Sequence, residues 1–197
     1  MLYLNQLDYP DLYYPTNISG GGLGPGKDNV KTAGCGLCCC CMIVENMTLQ
    51  HLSLVDCMHM AMDLKANLKP GTDMKILGQA VADKFDLVYS TTDSAEELLA
   101  HLRSGGMAIA NSGGDREGYT GVFTHGGHYI TVISADGDTV CVLDPSQTPD
   151  KYDIPERKDK VRVDGHFVYC DIKVLAEDCS NRQPAYYLFK RNNGCEQ

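Results

Sequence analysis

Positive charge is scarce in this chain: 17 lysines and arginines stand against 26 aspartates and glutamates, leaving a formal net charge of -9 and a pI near 5.0. The acidic residues are scattered rather than grouped. A phosphate backbone or an anionic membrane surface is held by basic patches, so nucleic acid is excluded as an expected partner and the acidity reads as solubility. Long apolar runs are missing as well. The longest, Leu37 to Val44, falls far short of the roughly 20 residues a membrane helix needs, which excludes membrane insertion. The first basic residue is Lys27, and the opening MLYLNQLDYPDLYYP shows no apolar stretch behind a charged start. No secretory signal is read from it, and a soluble, cytoplasmic protein is expected. Internal repeats are absent. With 43% hydrophobic content over 197 residues the chain can bury one medium core, so residues 1–197 are expected to form a single domain.

Cysteine, in contrast, is abundant. Five of the ten cysteines fall in the segment AGCGLCCCC, Ala33 to Cys41. Adjacent cysteines on a helix point in different directions and cannot pair, and a chain of this length needs no disulfide scaffold, so reduced thiols are expected. A zinc site needs two ligand pairs at matching spacing, and downstream only Cys170 and Cys179 are even loosely paired. No metal and no organic cofactor follows from the sequence. CGLC, Cys35 to Cys38, has the spacing of a redox pair, but that motif belongs after a strand in a βαβ unit and here a glycine-rich loop precedes it. Cys38, Cys39, Cys40 and Cys41 read most simply as small apolar residues of a buried helix. Cys35 differs from them. It lies between two glycines just ahead of that helix, where the dipole lowers a thiol's pKa and the backbone leaves room for a substrate to reach the sulfur.

Residues 1–34 are rich in Gly, Pro, Tyr and Asn, and SGGGLGPGKDN, Ser19 to Asn29, has the composition of a flexible loop. This arm is expected to precede the fold rather than enter its core. A helix is predicted from Leu37 to about Asn46. Thr48 then reads as the cap of a second helical stretch, LQHLSLVDCMHMAMDLK, with Leu49, Leu52, Val55, Met58 and Met62 as its apolar stripe. A third helix runs through MKILGQAVADKF and a short strand through LVYST, after which Asp93, with Glu96 three residues on, forms a capping box for SAEELLAHLRSG. From Met107 the pattern alternates, and MAIAN, HYITVISA, TVCVLD, HFVYCDI and AYYLFK read as strands. A mainly helical half, 35–105, followed by a mainly strand half, 106–197, predicts an α+β fold with an antiparallel sheet.

Two of those strands meet at Ala135-Asp136-Gly137-Asp138, because Asp-Gly suits a tight hairpin turn. Counting outward from the turn brings position 128 opposite 144 or 145, so His128 and Asp144 are expected to be cross-strand neighbours. An imidazole held by a carboxylate is the base half of a nucleophilic triad, and Cys35 is the candidate nucleophile. THGGH also contains His125, which belongs to a loop, and His128 is preferred. His51, His59 and His101 lie on helices without a matching acid or thiol. His166 lies in a strand and keeps a candidate role. Met58, Met60 and Met62 read as core or rim packing, and GYTGVFT reads either as a mobile lip of a cleft or as a turn.

These segments resemble a known family. AGCGLCCCCMIV, followed by GVFTHGGHYITVI and VLDPS in that order, is similar to the papain-like cysteine peptidases of the bacteriocin-processing, double-glycine leader peptidase type, especially their stand-alone bacterial relatives. The resemblance implies Cys35 as nucleophile, His128 as base and Asp144 as the group that orients it. The opening YLNQLDYPD resembles the family's N-terminal arm, whose glutamine supplies an oxyanion donor, and so implies Gln6. Asn29, six residues before Cys35 where papain has its glutamine, is the alternative amide, and Gln6 is preferred. The family commonly continues Gly-Cys-Gly with Pro-Thr, where this chain has Leu37-Cys38. The resemblance implies a papain-like fold with a helix packed on the sheet and a cleft between them. It further implies hydrolysis of a peptide or isopeptide bond in a peptide or protein substrate through a thioester. An amidase or acyltransferase with the same site, or an inactive binding module of the same fold, are the alternatives.

Overall fold

A computed structural model describes residues 1–16, 27–68 and 71–192 of the chain. Most of the glycine-rich segment Ser19 to Asn29 lies outside the described residues. A short helix α1, Val30–Ala33, leads through Gly34 into α2, Cys35–Met47. Eleven of the thirteen residues of α2 are buried. A helix apolar on all sides belongs in the middle of a fold rather than on its surface, and α2 is that central helix. It is flanked by α3, Leu54–Asp63, and α4, Met74–Lys84.

Seven strands form one sheet: β1 Leu87–Thr92, β2 Met107–Ser112, β3 His128–Asp136, β4 Thr139–Leu143, β5 Val161–Asp164, β6 Phe167–Asp171 and β7 Tyr186–Arg191. Their order is β1-β7-β2-β3-β4-β6-β5 and every pairing is antiparallel. The period-2 alternation of the strands sorts the core into two sides. Ile109, Ile133, Cys141, Leu143, Tyr187 and Phe189 face α2 and its neighbours. Ala110, Ile130, Val132, Val142, Val168 and Leu188 face the opposite side, where they pack with α5, Ala95–Arg103, and α7, Ile172–Cys179. The α+β class read from the sequence is the observed one, and helices cover both faces of the sheet.

Several local expectations are corrected. Thr48 does not open a helix: it closes α2, its Oγ1 donating to the Val44 carbonyl at 2.7 Å, and Ser53 caps α3 by accepting from the Asp56 N–H. The stripe that α3 buries is therefore Leu54, Cys57, Met58 and Ala61, while Leu49 and Val55 are exposed. Ser94, not Asp93, caps α5 by accepting from the Glu97 N–H, and Asp93 instead accepts from the Ala185 N–H at 2.8 Å. The strand in HFVYCDI begins at Phe167 and stops at Asp171, whose carboxylate accepts from the Lys173 N–H and starts α7; His166 lies in the preceding turn. Another short helix, α6 (Pro155–Lys158), and strand β5 also went unread.

The N-terminal arm enters the structure rather than preceding it. Tyr14 is fully buried and its hydroxyl shares a 2.8 Å hydrogen bond with Thr72. The Gln6 N–H donates to the Pro145 carbonyl at 2.7 Å and the Tyr3 hydroxyl to the Asp144 carbonyl at 2.8 Å. The arm reaches the core through Leu4 and Leu12 together with its tyrosines, and Tyr3 and Tyr14 each give apolar area plus one hydroxyl with a partner.

Candidate active site

Cys35 is the first residue of α2, and the two glycines around it serve packing. A Cβ at Gly34 would lie 2.5 Å from the Val30 carbonyl oxygen, and one at Gly36 would lie 3.0 Å from both Thr72 and Met74. Glycine thus lets α1 and α4 close against the helix start. The Cys35 side is left facing a cleft of about 350 Å³ that His128, Asn111, Tyr129 and Arg182 also line.

His128 is the first residue of β3 and is buried. Its Nε2 lies 2.8 Å from Asp144 Oδ1, and the same imidazole lines the cleft beside Cys35, close enough to act on the thiol. Because Nε2 is committed to Asp144, Nδ1 is the nitrogen left for sulfur. The contact with Asp144 does not come from direct cross-strand pairing. Between Val132 and Ser134 the register slips, Thr131 then pairs with Leu143, and the same register carried outward sets His128 against Ser146. β4 ends at Leu143, and Asp144 reaches the ring from the turn beyond it. Ser146 Oγ indeed stands 3.0 Å from His128 Nε2.

Asp144 is fully buried, and its two oxygens are saturated. Oδ1 accepts from the Ser146 N–H at 2.9 Å besides facing His128; Oδ2 accepts from Lys151 Nζ at 2.5 Å and from the Tyr152 hydroxyl. Burial opposes its charge, but the Lys151 ammonium and then His128 outweigh it and hold the carboxyl well below the usual range. Burial also works against a charged His128, yet the hydrogen bond and charge of Asp144, followed by those of Cys35, push its pKa up to about 9. For Cys35, burial pushes the thiol up, while the hydrogen bond and charge of His128, with backbone N–H groups of Tyr129 and Gly36, bring it below its ordinary value. The site therefore favours a thiolate beside an imidazolium. Lys151, Tyr152 and Ser146 were missed in the sequence. Their signal was slight: a run of polar residues after an Asp-Pro in a turn.

Gln6 is buried, and its Nε2 donates to the Lys31 carbonyl at 2.7 Å. Asn29 is the N-cap of α1, its side-chain oxygen accepting from the Thr32 N–H at 3.1 Å. His125 is exposed and turned away to Asp115, 2.9 Å from its carboxylate. His51 does have an acid, Glu45, against which its Nδ1 packs, and His101 Nε2 meets the carbonyls of Met107 and Phe189. His166 stacks on Tyr3 with ring centroids 4.1 Å apart. GYTGVFT is a pinned turn: the Tyr119 hydroxyl and the Val122 and Phe123 N–H groups all donate to the buried Asp178 of α7. Cys38, Cys39, Cys40 and Cys41 are fully buried in the core, and Met58, Met60 and Met62 pack there as expected. The βαβ setting that a redox CxxC needs is absent among the described residues, whose strand pairings are all antiparallel. Among those residues no group of three or more His, Cys, Asp or Glu side chains is arranged to hold a metal, and no helix is long and apolar enough to cross a membrane.

No family model matches the chain, and no curated protein matches it. Solved structures do. One of them, a candidate C39-like peptidase from Bacillus anthracis, superposes with a TM-score of 0.54 over 81% of this chain and 90% of its own, at 14% sequence identity. At that identity the likeness is one of fold: the helix-flanked antiparallel sheet of this chain is built like that of the C39-like protein.

Proposed function

We propose that this chain is a cysteine peptidase that cleaves a peptide or isopeptide bond through a thioester on Cys35. The observation that carries the reading is His128, held by Asp144 on one nitrogen and lining the same cleft as Cys35, whose thiol it acts on. The fold likeness to a C39-like peptidase and the resemblance of the three motifs to leader-processing peptidases both agree with it.

In this reading the Cys35 thiolate attacks the carbonyl carbon, and the negative charge moves to the carbonyl oxygen. The Cys35 N–H at the helix start and the second amide hydrogen of Gln6 receive that oxyanion. One Gln6 hydrogen is engaged by Lys31, which fixes the amide's direction. The His128 imidazolium then gives its proton to the departing amine as the C–N bond breaks and the thioester forms. Neutral His128 next takes a proton from water, whose oxygen attacks the thioester and releases the acid, and the proton returns to the pair. Asp144 keeps Nε2 protonated throughout, so Nδ1 does the exchange.

Site-resolved alkylation by iodoacetamide tests this without a known substrate. Cys35 alone is expected to react fast below about pH 7, and His128→Ala is expected to abolish that advantage. Reaction of Cys35 no faster than that of Cys57 would sink the reading. Peptides ending in paired glycines are the first substrates to try, and an added amine separates hydrolysis from acyl transfer. Gln6→Ala is expected to lower turnover by about 10²- to 10³-fold if its amide serves the oxyanion.

A further inference from the structure

Among the described residues, the wall of the cleft beside Cys35 has one permanently charged side chain, Arg182, and no carboxylate. The guanidinium is poorly occupied by the protein. Its Nη2 reaches the Gly113 carbonyl only at 3.5 Å, the limit of a hydrogen bond, and its buried Nε has no partner among the described residues. Nor does any acid among them stand within ion-pair distance of it, whereas Arg103 and Arg116 each have one. An arginine is a planar fork of five donors, and donors left unfilled in a protein wall are costly unless something else fills them. The position is close to the chemistry: a Cβ on Gly127, the residue before His128, would lie 2.8 Å from Arg182 Nη2. On the same wall, Thr16 Oγ1 is also buried without a partner among the described residues.

The charge balance points the same way. A thiolate and an imidazolium cancel, so among the described lining residues Arg182 leaves the cleft with one net positive charge, on a chain whose formal charge is -9. We propose that Arg182 is a specificity-determining residue that binds a carboxylate of the substrate, so that the bond cleaved lies next to an acidic side chain or a chain's free C-terminus. The proposal rests on the reading of Cys35 and His128 as the reacting pair.

Three chloroacetyl dipeptides test it on the intact chain: one with an aspartate side chain and a C-terminal amide, one with asparagine and an amide, and one with asparagine and a free C-terminal carboxylate. In each, the Cys35 thiolate displaces chloride, a C–S bond replacing the C–Cl bond. One carboxylate probe is expected to alkylate Cys35 about tenfold faster than the neutral one, and which of the two does so names the source of the carboxylate. Arg182→Gln should erase the preference, raised salt should weaken it, and Arg182→Lys, retaining the charge without the fork, should keep part of it. Equal rates for all three probes on a fast-reacting Cys35, or a preference that survives Arg182→Gln, would overturn the inference and leave the peptidase reading standing. A Cys35 slow toward every probe would bring down both.

Discussion

Cys35 and Cys38 share one helix and nearly one face of it, and both are buried, yet their thiols are driven in opposite directions. Burial is the largest influence on each and opposes the thiolate in both. At Cys38 little offsets it, and the neighbouring sulfurs of Cys41 and Cys35 add to it, so the thiol is held well above its ordinary value. At Cys35, three residues earlier, His128 reaches across from β3 and reverses the outcome. The difference teaches that neither burial nor the helix alone makes a reactive cysteine. The deciding group comes from another element, and the N–H groups of Tyr129 and Gly36 assist it.

The comparison breaks most severely if the support beneath His128 is removed. Asp144→Ala leaves the Lys151 ammonium and the Tyr152 hydroxyl buried without their shared acceptor, and is expected to cost about 3–5 kcal/mol in denaturant unfolding. A loss under about 1 kcal/mol would mean that the network carries little of the local stability. The pH dependence has the matching sign. The Asp144 carboxyl is depressed below its usual 3.8, so its contribution is present above that value and is lost as the pH falls toward the folded-state pKa.

Removing the deciding group itself should turn Cys35 into another Cys38. His128→Ala is expected to slow alkylation of Cys35 near neutral pH by about 10²-fold or more, toward the rate of the helix interior. In the wild type, His128 titrates in the folded state at about 9 against an ordinary 6.5. The stability it contributes is complete below 6.5 and is lost as the pH rises through about 9. Hydrolysis is expected to fall along the same limb, because the leaving amine then finds no proton on the imidazole. A rate that keeps rising past that limb would separate His128 from proton transfer.

The sequence showed the two cysteine environments unequally. The α+β class was legible because hydrophobic period changes from helical to alternating near Met107, and because Gly-Cys-Gly, His128 and Asp144 stand in one order. The buried interior of α2 was legible in its composition, since thirteen residues with hardly a polar side chain before Glu45 have nowhere to go but the core. What decides the chemistry was harder to see. The hairpin closes tightly, with Asp136 paired to Thr139, which carried outward would set His128 against Gln147; the slip between Val132 and Ser134 shifts that by one position, to Ser146, and neither detail leaves a mark on a hydrophobic pattern. Lys151, Tyr152 and Ser146 gather on Asp144 from an irregular turn that has no period to read. The N-terminal arm was misjudged because the glycine-rich segment from Ser19 onward coloured the reading of all of it, while Tyr3, Gln6 and Tyr14 dock its first half. α7 was overlooked because Asp171 ends a strand and caps a helix at once, although Ile172, Leu175 and Cys179 have helical spacing.

The smallest expected effect sharpens the comparison most. Cys38→Ser replaces a buried thiol by a hydroxyl that can turn back to the Gly34 carbonyl one turn earlier, so the cost is expected to be about 1 kcal/mol. If His128 alone sets Cys35 apart, the pH profile of Cys35 alkylation should not move. A redox pair makes the opposite demand: Cys35 and Cys38 would form a reversible disulfide in the wild type, Cys38→Ser would abolish it, and the reactivity of Cys35 under mild oxidation would change with it. The antiparallel surroundings of the motif favour the first outcome. A profile unchanged within about twofold, with no disulfide recovered by mass spectrometry, would confine the function of this cysteine-rich helix to its first residue and leave the other four as packing.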